Sequence, residues 1–453
     1  MSTHGHGSHP DRFAELKPPM LQDQALAEAN RCLFCYDAPC TRACPTHIDV
    51  PGFIKKIASG NLRGSARTIL EANILGASCA RVCPTEVLCE GACVLNDLHA
   101  KPIDIGRLQR HATDWVLDKN ERLFQPGLPR GMRVAVVGAG PAGMGCAAEL
   151  ARLGYEVTVF EAAELPGGLN STGVAEYKMN MATALKEIEW VRELGVDVKL
   201  GTPVVPDAEA RDGDVTVGSL ESRFGAVFLG LGLGAVRDLG IPGEDLPGVR
   251  DALELIAELK VDKAKAAAGI GRRVVVVGGG NTAIDAVTQS ARLGAEEVTL
   301  VYRRGPEDMT AYAHEVELAK HDGVRFIFQA QPVAFEGNGR VQGLRVVRVE
   351  PQGRPDGSGR QSYAPVPGSE TVIPADTIVK ATGQTPRDRL FHAIPGLIVD
   401  KGRPVHDPLT MQTGNPRFFT GGDCANGGKE VVNAVAEGKR AARGIDRWLA
   451  RRS

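Results

Sequence analysis

The chain has 453 residues, which is enough for about three domains, and it combines 54 glycines with only 5% aromatic residues. Its formal net charge of −2 gives no reason to expect nucleic acid or an anionic membrane as a partner. It starts without an apolar signal segment and holds no apolar stretch long enough to span a membrane, so we expect a cytoplasmic protein with reduced cysteines.

Two groups of cysteines precede residue 95. The first group has the spacing Cys-x2-Cys-x4-Cys-x3-Cys-Pro, and the second has the spacing Cys-x3-Cys-Pro-x4-Cys-x3-Cys. A run that ends in Cys-Pro is typical of ferredoxins, in which the fourth cysteine commonly binds the other of two clusters. Structural zinc is the alternative, because four-cysteine zinc sites use similar spacings, but the Cys-Pro pairs and the redox pattern downstream favour iron–sulfur clusters. The cysteines of the two groups are Cys32, Cys35, Cys40, Cys44, Cys79, Cys83, Cys89 and Cys93.

An internal repeat begins after residue 130. The segment RVAVVGAGPAG, which starts at Arg133, is matched by RVVVVGGGNTA, which starts at Arg273. Each copy reads as a β-branched strand, a glycine turn, an Ala-rich helix and a second strand, which is the pattern of a βαβ unit. In such units the glycines let the backbone approach a pyrophosphate at the helix N-terminus. The repeat therefore predicts two dinucleotide-binding folds.

The two copies differ where the second strand ends. In the first copy this strand ends at Glu161, where a carboxylate would bind the ribose hydroxyls of an adenosine. In the second copy it ends at Arg303 and Arg304 without an acid, and a guanidinium there suits the 2′-phosphate of NADPH. We therefore favour NADPH over NADH, although the two arginines could instead be an ordinary solvated pair.

Two further segments resemble parts of a flavoprotein. Asp423 can accept a hydrogen bond from a flavin ribityl chain, and the helix that starts near Glu430 can direct its positive end at the flavin ring. The first glycine turn, Glu161, the Ala-Thr-Gly segment at 381–383 and Gly-Gly-Asp at 421–423 recur in this order in flavoprotein reductases with two dinucleotide domains. The predicted FAD contacts are Gly138, Gly140, Pro141, Ala142, Gly143, Glu161, Gly168, Gly383, Gly422, Asp423 and Val432. The predicted NAD(P)H contacts are Gly278, Gly280, Asn281, Thr282, Ala283, Arg303 and Arg304.

The predicted fold class is α/β, with two Rossmann-like dinucleotide-binding domains, one inserted in the other, preceded by an α-helical iron–sulfur domain. We place the helical domain with two [4Fe-4S] clusters at 1–129, the FAD domain at 130–265 and 385–453, and the NAD(P)H domain at 266–384. Thioredoxin reductases share this architecture, but outside the two groups only Cys146 and Cys424 remain, far apart in sequence. Without a redox disulfide, we expect electrons to leave through the clusters.

The N-terminal part has a narrower resemblance. Segments 32–35, 38–45, 79–86, 89–93 and 102–109 resemble the cluster domain of dihydropyrimidine dehydrogenases. The resemblance extends over essentially the whole chain to the separate flavin subunit of the bacterial NAD(P)H-dependent enzymes, and the small subunit of glutamate synthase shares the same plan. It implies interleaved ligands, with one cluster held by Cys32, Cys35, Cys40 and Cys93. The ligands implied for the other cluster are Cys44, Cys83, Cys89 and Gln109.

Gln109 separates the two related families. Glutamate synthases typically have Glu at the matching position, so the amide at Gln109 favours pyrimidine chemistry, and Cys79 is left as a bystander. The alternative for Gln109 is an ordinary surface residue of a helix. An amide ligand adds no negative charge and should shift the potential of the cluster.

The resemblance implies an electron-input subunit. Such a subunit oxidises NAD(P)H with FAD and passes electrons through two [4Fe-4S] clusters to an FMN-barrel dihydropyrimidine dehydrogenase subunit, because no (β/α)8 repeat occurs in this chain. The alternatives are the small subunit of an NADPH-dependent glutamate synthase or related complex, and a freestanding diaphorase with a structural cluster domain. Hydride transfer to a flavin needs no general acid or base, so we name no catalytic side chain.

Overall fold

The computed structural model describes residues 12–354, 357 and 361–452. Helices dominate the first part of the chain, and further helices alternate with strands after residue 130. The helices are α1 (Gln22–Asn30), α2 (Pro39–Ala43), α3 (Val50–Ala58), α4 (Leu62–Ala72), α5 (Gly76–Val82), α6 (Ile105–Lys119), α7 (Pro141–Arg152), α8 (Leu169–Thr172), α9 (Met181–Arg192), α10 (Val217–Arg223), α11 (Ala252–Val261), α12 (Lys263–Gly269), α13 (Asn281–Leu293), α14 (Ala313–His321), α15 (Arg389–His392), α16 (Asp423–Asn426) and α17 (Val431–Leu449).

The strands lie between Arg133 and Thr420. They are β1 (Arg133–Val137), β2 (Glu156–Phe160), β3 (Asp197–Lys199), β4 (Val204–Val205), β5 (Val215–Thr216), β6 (Ala226–Leu229), β7 (Val249–Asp251), β8 (Arg273–Val277), β9 (Glu297–Val301), β10 (Arg325–Ile327), β11 (Ala330–Gly337), β12 (Val341–Gln352), β13 (Ser362–Pro365), β14 (Thr371–Pro374), β15 (Thr377–Lys380), β16 (Val399–Asp400), β17 (Arg403–Pro404) and β18 (Phe418–Thr420).

The helical domain packs around an apolar core. Two of its helices begin at polar caps: the Asp49 carboxylate accepts the Gly52 N–H at 3.0 Å before α3, and the Asn61 side chain accepts the Gly64 N–H at 2.8 Å before α4. The apolar faces of the helices pack against one another and form a single buried core. This core includes Phe53, Ile54, Ile57, Ile69, Leu70, Ile105, Leu108 and Val116. Several of the clustered cysteines adjoin this core, which places the predicted ligands among buried apolar side chains.

The first dinucleotide fold contains a parallel sheet in the order β18-β6-β1-β2-β3. Val134, Ala135 and Val136 of β1 are each fully buried, as expected for a central strand covered on both faces. The helices α7 and α17 pack on this sheet with little space between their backbones. A Cβ atom at Gly438 of α17 would lie 2.1 Å from the carbonyl oxygen of Ala142 in α7, so only glycine allows this approach.

The second dinucleotide fold contains a parallel sheet in the order β10-β9-β8-β15-β7. The glycine turn after β8 leads into α13, which packs on this sheet through Ile284 and Val287. The antiparallel strands β11, β12, β13 and β14 form a separate sheet between α14 and β15 in the chain. The predicted repeat of the βαβ unit is thus present in both parallel sheets.

The chain divides into two compact contact units. Among the described residues, one comprises 12–15, 172–177, 234–354, 357 and 361–385, and the other comprises 16–171, 178–233 and 386–452. The helical domain and the first dinucleotide fold, called the flavin-type fold below, belong to the same unit. Ile74 and Leu75 are buried in the core of the flavin-type sheet, and Val432 is buried in the core of the helical domain. The predicted fold class is confirmed, and the domain boundaries stay a prediction. None of the helices in the described part of the chain combines the length and apolar character that a membrane crossing requires.

Candidate functional site

The glycine turn after β1 has the geometry that a dinucleotide requires. Gly138 has a φ of +100°, and a Cβ atom there would lie 2.3 Å from the Gly230 carbonyl oxygen. At Gly143 a Cβ atom would lie 1.9 Å from the Gly138 carbonyl oxygen, so the helix packs directly on the turn. Gly140 precedes α7, whose first residue is Pro141, and a Cβ atom at Gly140 would meet no neighbour within 4 Å. The open side of this turn is where a pyrophosphate fits at the helix N-terminus.

Glu161 and Gly168 lie beside the same turn. The Glu161 carboxylate accepts the Ala139 N–H at 2.7 Å, which holds the acid at the tip of β2 next to the glycines. A Cβ atom at Gly168, where φ is +54°, would lie 3.1 Å from the Cα atom of Gly140. The structure therefore brings these predicted FAD contacts together on one side of α7.

The Gly-Gly-Asp segment also reaches α7. A Cβ atom at Gly422, where φ is +75°, would lie 2.8 Å from the Cβ atom of Ala142. Burial raises the pKa of Asp423, and the nearby Glu437 carboxylate raises it further, while the Lys429 N–H donates to Asp423 at 3.2 Å. Glu437, which the sequence analysis did not single out, accepts the Gly422 N–H at 2.7 Å and fixes this segment.

Two predicted FAD contacts have a different environment. Val432 of α17 is buried among the apolar residues of the helical domain. Gly383 follows β15 in the other contact unit, where its carbonyl accepts the Arg237 N–H at 2.7 Å and its φ is +86°. The roles of both residues toward FAD stay predictions.

The second glycine turn lies between β8 and α13. A Cβ atom at Gly278 would lie 2.4 Å from the carbonyl oxygen of Ala381, which explains the need for glycine. Gly280 caps α13, and the fully buried Ala283 occupies the position of the third glycine. The Asn281 side chain accepts the Tyr312 N–H at 3.0 Å and holds the next loop over the turn, while Thr282 is half-buried.

Arg303 and Arg304 follow β9 directly. Arg303 is exposed and Arg304 is half-buried. The loop that follows them is ordered by Tyr363, whose hydroxyl donates to the Asp308 carboxylate at 2.8 Å and accepts the Gly305 N–H at 3.1 Å. A fixed loop with two cationic side chains beside a glycine turn suits a 2′-phosphate.

Four of the cysteines surround one cavity in the helical domain. Its lining includes Cys32, Cys35, Cys40 and Cys93, and its wall is otherwise mostly apolar, with Val50, Ile54 and Leu95 among the lining residues. Burial, together with the nearby thiols of Cys32 and Cys93, raises the pKa of Cys40 to about 11. Cluster binding must therefore displace protons from these thiols. A largely apolar cavity lined by four cysteines fits a [4Fe-4S] cluster.

Cys79 lies on α5 and Cys83 follows it, with Cys44 and Cys89 nearby. The pKa of Cys83 is raised well above its ordinary value, first by a hydrogen bond with Cys79 and then by burial, with Cys89 and Cys44 as further neighbours. Cys79, treated as a bystander in the sequence analysis, also accepts a hydrogen bond from the Asn73 side chain at 3.1 Å. Within residues 12–354, 357 and 361–452, no three His, Cys, Asp or Glu side chains converge on a position for a single metal ion.

Gln109 contacts α5, the helix that contains Cys79 and is followed by Cys83. Its side chain is largely buried on α6, and its amide nitrogen donates to the Gly76 carbonyl at 2.7 Å. The amide oxygen is therefore the atom through which Gln109 would bind iron. The alternative of an ordinary surface residue does not describe this buried position.

Besides Glu437, the sequence analysis did not identify Glu187. Glu187 of α9 is fully buried, and its carboxylate accepts hydrogen bonds from the first turn of α5. The available signal was its position on the apolar face of α9, between Ala184 and Val191. A carboxylate on such a face needs hydrogen-bond partners, which here come from the helical domain.

Comparisons with known proteins agree with this geometry. Residues 9–121 match the family model for dihydropyrimidine dehydrogenase domain II with a 4Fe-4S cluster, and residues 132–438 match the model for pyridine nucleotide-disulphide oxidoreductases. The fold and the two glycine turns define an NAD(P)H-dependent oxidoreductase that uses FAD and iron–sulfur chemistry. The chain belongs to the pyridine nucleotide-disulphide oxidoreductase family and carries an N-terminal 4Fe-4S domain of the dihydropyrimidine dehydrogenase type.

Several relatives match almost the whole chain. The glutamate synthase [NADPH] small chain of Escherichia coli K12 is 38% identical over 452 residues, which cover 96% of this chain and 94% of the relative. The NAD-dependent dihydropyrimidine dehydrogenase subunit PreT of the same organism is 34% identical over 435 residues, with coverage of 96% and 97%. The family resemblance predicted from the motifs is therefore confirmed.

Solved structures show the same fold. FprA from Mycobacterium tuberculosis in complex with NADPH superposes with a TM-score of 0.58 and 20% identity, covering 71% of this chain and 85% of that one. Thioredoxin reductase from T. acidophilum gives a TM-score of 0.54 and 20% identity, covering 71% and 98%. These likenesses cover less of the chain than the sequence relatives do and concern the fold alone.

Proposed function

We propose that this chain is the electron-input subunit of a larger enzyme and delivers electrons from NAD(P)H through two [4Fe-4S] clusters to a partner subunit. Bound FAD and iron–sulfur clusters would supply the hydride-accepting and one-electron chemistry that no side chain provides. The observation that carries the proposal is the common core of the helical domain and the flavin-type fold. Ile74 and Leu75 are buried against the flavin-type sheet, and the Lys439 ammonium donates to the carbonyls of Glu71 and Ala72 at 2.7 and 2.8 Å.

The side chains have distinct parts in this proposal. The turn at Gly138 and Gly140 would hold the FAD pyrophosphate, with Glu161 on the adenosine ribose. The turn at Gly278 and Gly280 would hold the nicotinamide coenzyme, with Arg303 directed to its 2′-phosphate. The two groups of cysteines would hold the clusters, and burial would tune their potentials. We propose a cytoplasmic location, since the thiols must stay reduced to bind iron.

We propose an FMN-barrel dihydropyrimidine dehydrogenase subunit as the partner. The supporting residue is Gln109, because glutamate synthases typically carry Glu at the matching position. The glutamate synthase large subunit is the second candidate, since the glutamate synthase small chain is 38% identical over nearly the full chain.

Reconstitution tests the proposal. Alone, the purified chain should oxidise NAD(P)H with ferricyanide as acceptor and should not reduce uracil or thymine. Addition of an FMN-barrel subunit should produce uracil reduction, whereas glutamate formation with a glutamate synthase large subunit would favour the second candidate. Uracil reduction by the single chain would overturn the division between subunits. Ferricyanide reduction without coupling to either partner would favour a freestanding diaphorase.

A further inference from the structure

A buried carboxylate of the flavin-type fold accepts hydrogen bonds from the first turn of a helix in the helical domain. Glu187 of α9 is fully buried, and its two carboxylate oxygens accept the Ala77 N–H at 2.7 Å and the Ser78 N–H at 3.1 Å. The Ser78 hydroxyl makes a further hydrogen bond to the same carboxylate. These N–H groups belong to the start of α5, where no bonds within the helix are available to them.

The same helical turn is held from its other side by a proposed cluster ligand. The Gln109 amide nitrogen donates to the carbonyl of Gly76, the residue directly before Ala77. At its other end α5 is followed directly by Cys83, another proposed ligand. A single short helix therefore links Glu187 of the flavin-type fold to two proposed ligands of one cluster.

Ser78 is also connected to the loop beside the FAD turn. The Asn170 side-chain nitrogen donates to the Ser78 hydroxyl at 2.8 Å. Asn170 follows the Gly168 loop, which approaches the Cα atom of Gly140. The Asn170 side chain is buried, and its amide oxygen has no hydrogen-bond partner among the described residues. An orphaned buried acceptor beside a cofactor loop suits a polar group of the bound flavin.

The energetics argue that this carboxylate has a role besides packing. A carboxylate is costly to bury, and an apolar residue of similar volume would commonly stabilise such a position as well or better. Arg81 of α5, which lowers the pKa of Glu187, is itself paired with Asp114 at 2.7 Å and donates to the Ala77 carbonyl. Glu187 accepts directed hydrogen bonds from two adjacent N–H groups, which an apolar side chain could not do.

We propose that Glu187 is a positioning residue for electron transfer between the bound flavin and the cluster at Cys44, Cys83, Cys89 and Gln109. In this step one electron leaves reduced flavin and one cluster is reduced, and the hydride from NAD(P)H is the source of the electrons. By holding Ala77 and Ser78, Glu187 fixes α5 against the flavin-type fold and thereby sets the separation of the two centres. This inference rests on the proposed electron-input function.

The test compares Glu187→Gln with Glu189→Gln in the full-length protein loaded with FAD and clusters. The glutamine amide would place N–H donors against the N–H groups of α5, whereas Glu189 is exposed on the same helix and serves as the matched control. NADPH is mixed anaerobically with each protein. The loss of flavin absorbance reports hydride transfer, and the EPR signal of rapidly frozen samples reports cluster reduction.

We expect Glu187→Gln to keep the wild-type rate of hydride transfer and to slow cluster reduction by about tenfold or more, since small displacements of reacting groups carry large rate costs. The backbone amides of 76–82 should also exchange hydrogen faster, and Glu189→Gln should match the wild type in all three measurements. Ser78→Ala keeps the backbone contacts and should slow cluster reduction less than Glu187→Gln does. It replaces Glu187→Gln as the test variant if Glu187→Gln loses its cofactors.

Several results would overturn the inference. Cluster reduction at the wild-type rate in both Glu187→Gln and Ser78→Ala would show that the contact does not set the transfer. Equal slowing of hydride transfer and cluster reduction would show that Glu187 only maintains the fold. If the wild-type protein itself contained no iron or acid-labile sulfide, the proposed function would fail instead, and metal analysis of the wild type distinguishes the two cases.

Discussion

The amide nitrogen of Gln109 donates to the carbonyl of Gly76 at 2.7 Å, so α6 and α5 are joined at the first residue of α5. This bond orients the Gln109 side chain, and in our proposal its amide oxygen is the ligand atom. Cys79, three residues after Gly76, accepts a hydrogen bond from the Asn73 side chain and lies beside Cys83. The structure therefore presents two possible fourth ligands for the second cluster, an amide oxygen and a thiolate.

Substitution of single ligands decides between them. The wild-type protein should contain about eight irons and eight acid-labile sulfides. Cys32→Ala should lose one cluster, Cys83→Ala and Gln109→Ala should lose or alter the other, and Cys79→Ala should keep both. Iron and sulfide analysis with EPR provides the measurement, and Cys146→Ala is the control outside both groups. Loss of a cluster in Cys79→Ala but not in Gln109→Ala would make Cys79 the ligand.

Coenzyme choice depends on Arg303 in our interpretation. Arg303→Glu should lower kcat/KM for NADPH far more than for NADH, because a carboxylate repels the 2′-phosphate but can bind the free diol. The loss of a charge-assisted contact, about 1.5–3 kcal/mol, corresponds to roughly ten- to a hundred-fold in kcat/KM. Steady-state rates with ferricyanide measure both coenzymes. Arg348→Glu, an equal charge change at an exposed residue of the separate antiparallel sheet, is the control. Equal losses with both coenzymes would assign discrimination to another residue.

A buried hydrogen bond stabilises the contact unit that contains the second dinucleotide fold. The hydroxyl of the fully buried Tyr177 donates to the Asp285 carboxylate at 2.8 Å, and Arg292 lies over the tyrosine ring. Tyr177→Phe should lower the free energy of unfolding by about 1–3 kcal/mol, because Asp285 loses a donor inside the protein. Urea unfolding followed by circular dichroism measures the change. Tyr36→Phe, at an exposed side chain, should leave the unfolding midpoint unaltered. An unchanged midpoint in Tyr177→Phe would contradict the prediction.

Burial raises the pKa of Glu187 from an ordinary 4.5 to about 7, although its hydrogen bonds with Ser78 and Ala77 act in the opposite direction. The folded protein therefore holds this proton more tightly than the unfolded chain does. Stability from this proton is fully present below the ordinary pKa and is lost as the pH rises through about 7. Thermal unfolding of the wild type should show this loss between about pH 5 and pH 8, and Glu187→Gln should show a flatter profile. Parallel profiles would indicate that Glu187 is ionised throughout.

The sequence predicted the parts of the molecule that local rules govern. The repeat predicts that Gly138 and Gly278 lie in turns where another backbone segment approaches closely. In the structure a backbone carbonyl lies close to each of these glycines. The sequence places Glu161 at the end of the second strand of one βαβ unit. In the structure its carboxylate lies beside the glycine turn. Such features follow from strand, turn and helix geometry within about thirty residues.

Contacts between distant segments could not be predicted in this way. Glu187 and Ser78 are far apart in the chain, and neither belongs to a motif, so only the packing of α9 on α5 reveals their hydrogen bonds. The division into contact units also depends on packing between segments far apart in the chain, such as 172–177 and 234–265. Burial of Val432 in the helical core is a further consequence of packing that no local pattern encodes.

The close approach of Gly438 to Ala142 has a consequence for how the protein is made. The first helix of the flavin-type fold, α7, is covered by α17, and the sheet gains its edge strand only from Phe418–Thr420. During synthesis on the ribosome, residues 234–385 emerge before these closing elements do. The second dinucleotide fold can therefore acquire its sheet while the first still lacks a strand and a helix. We therefore expect FAD to bind late in biogenesis, and nascent chains stalled before residue 418 should retain no flavin.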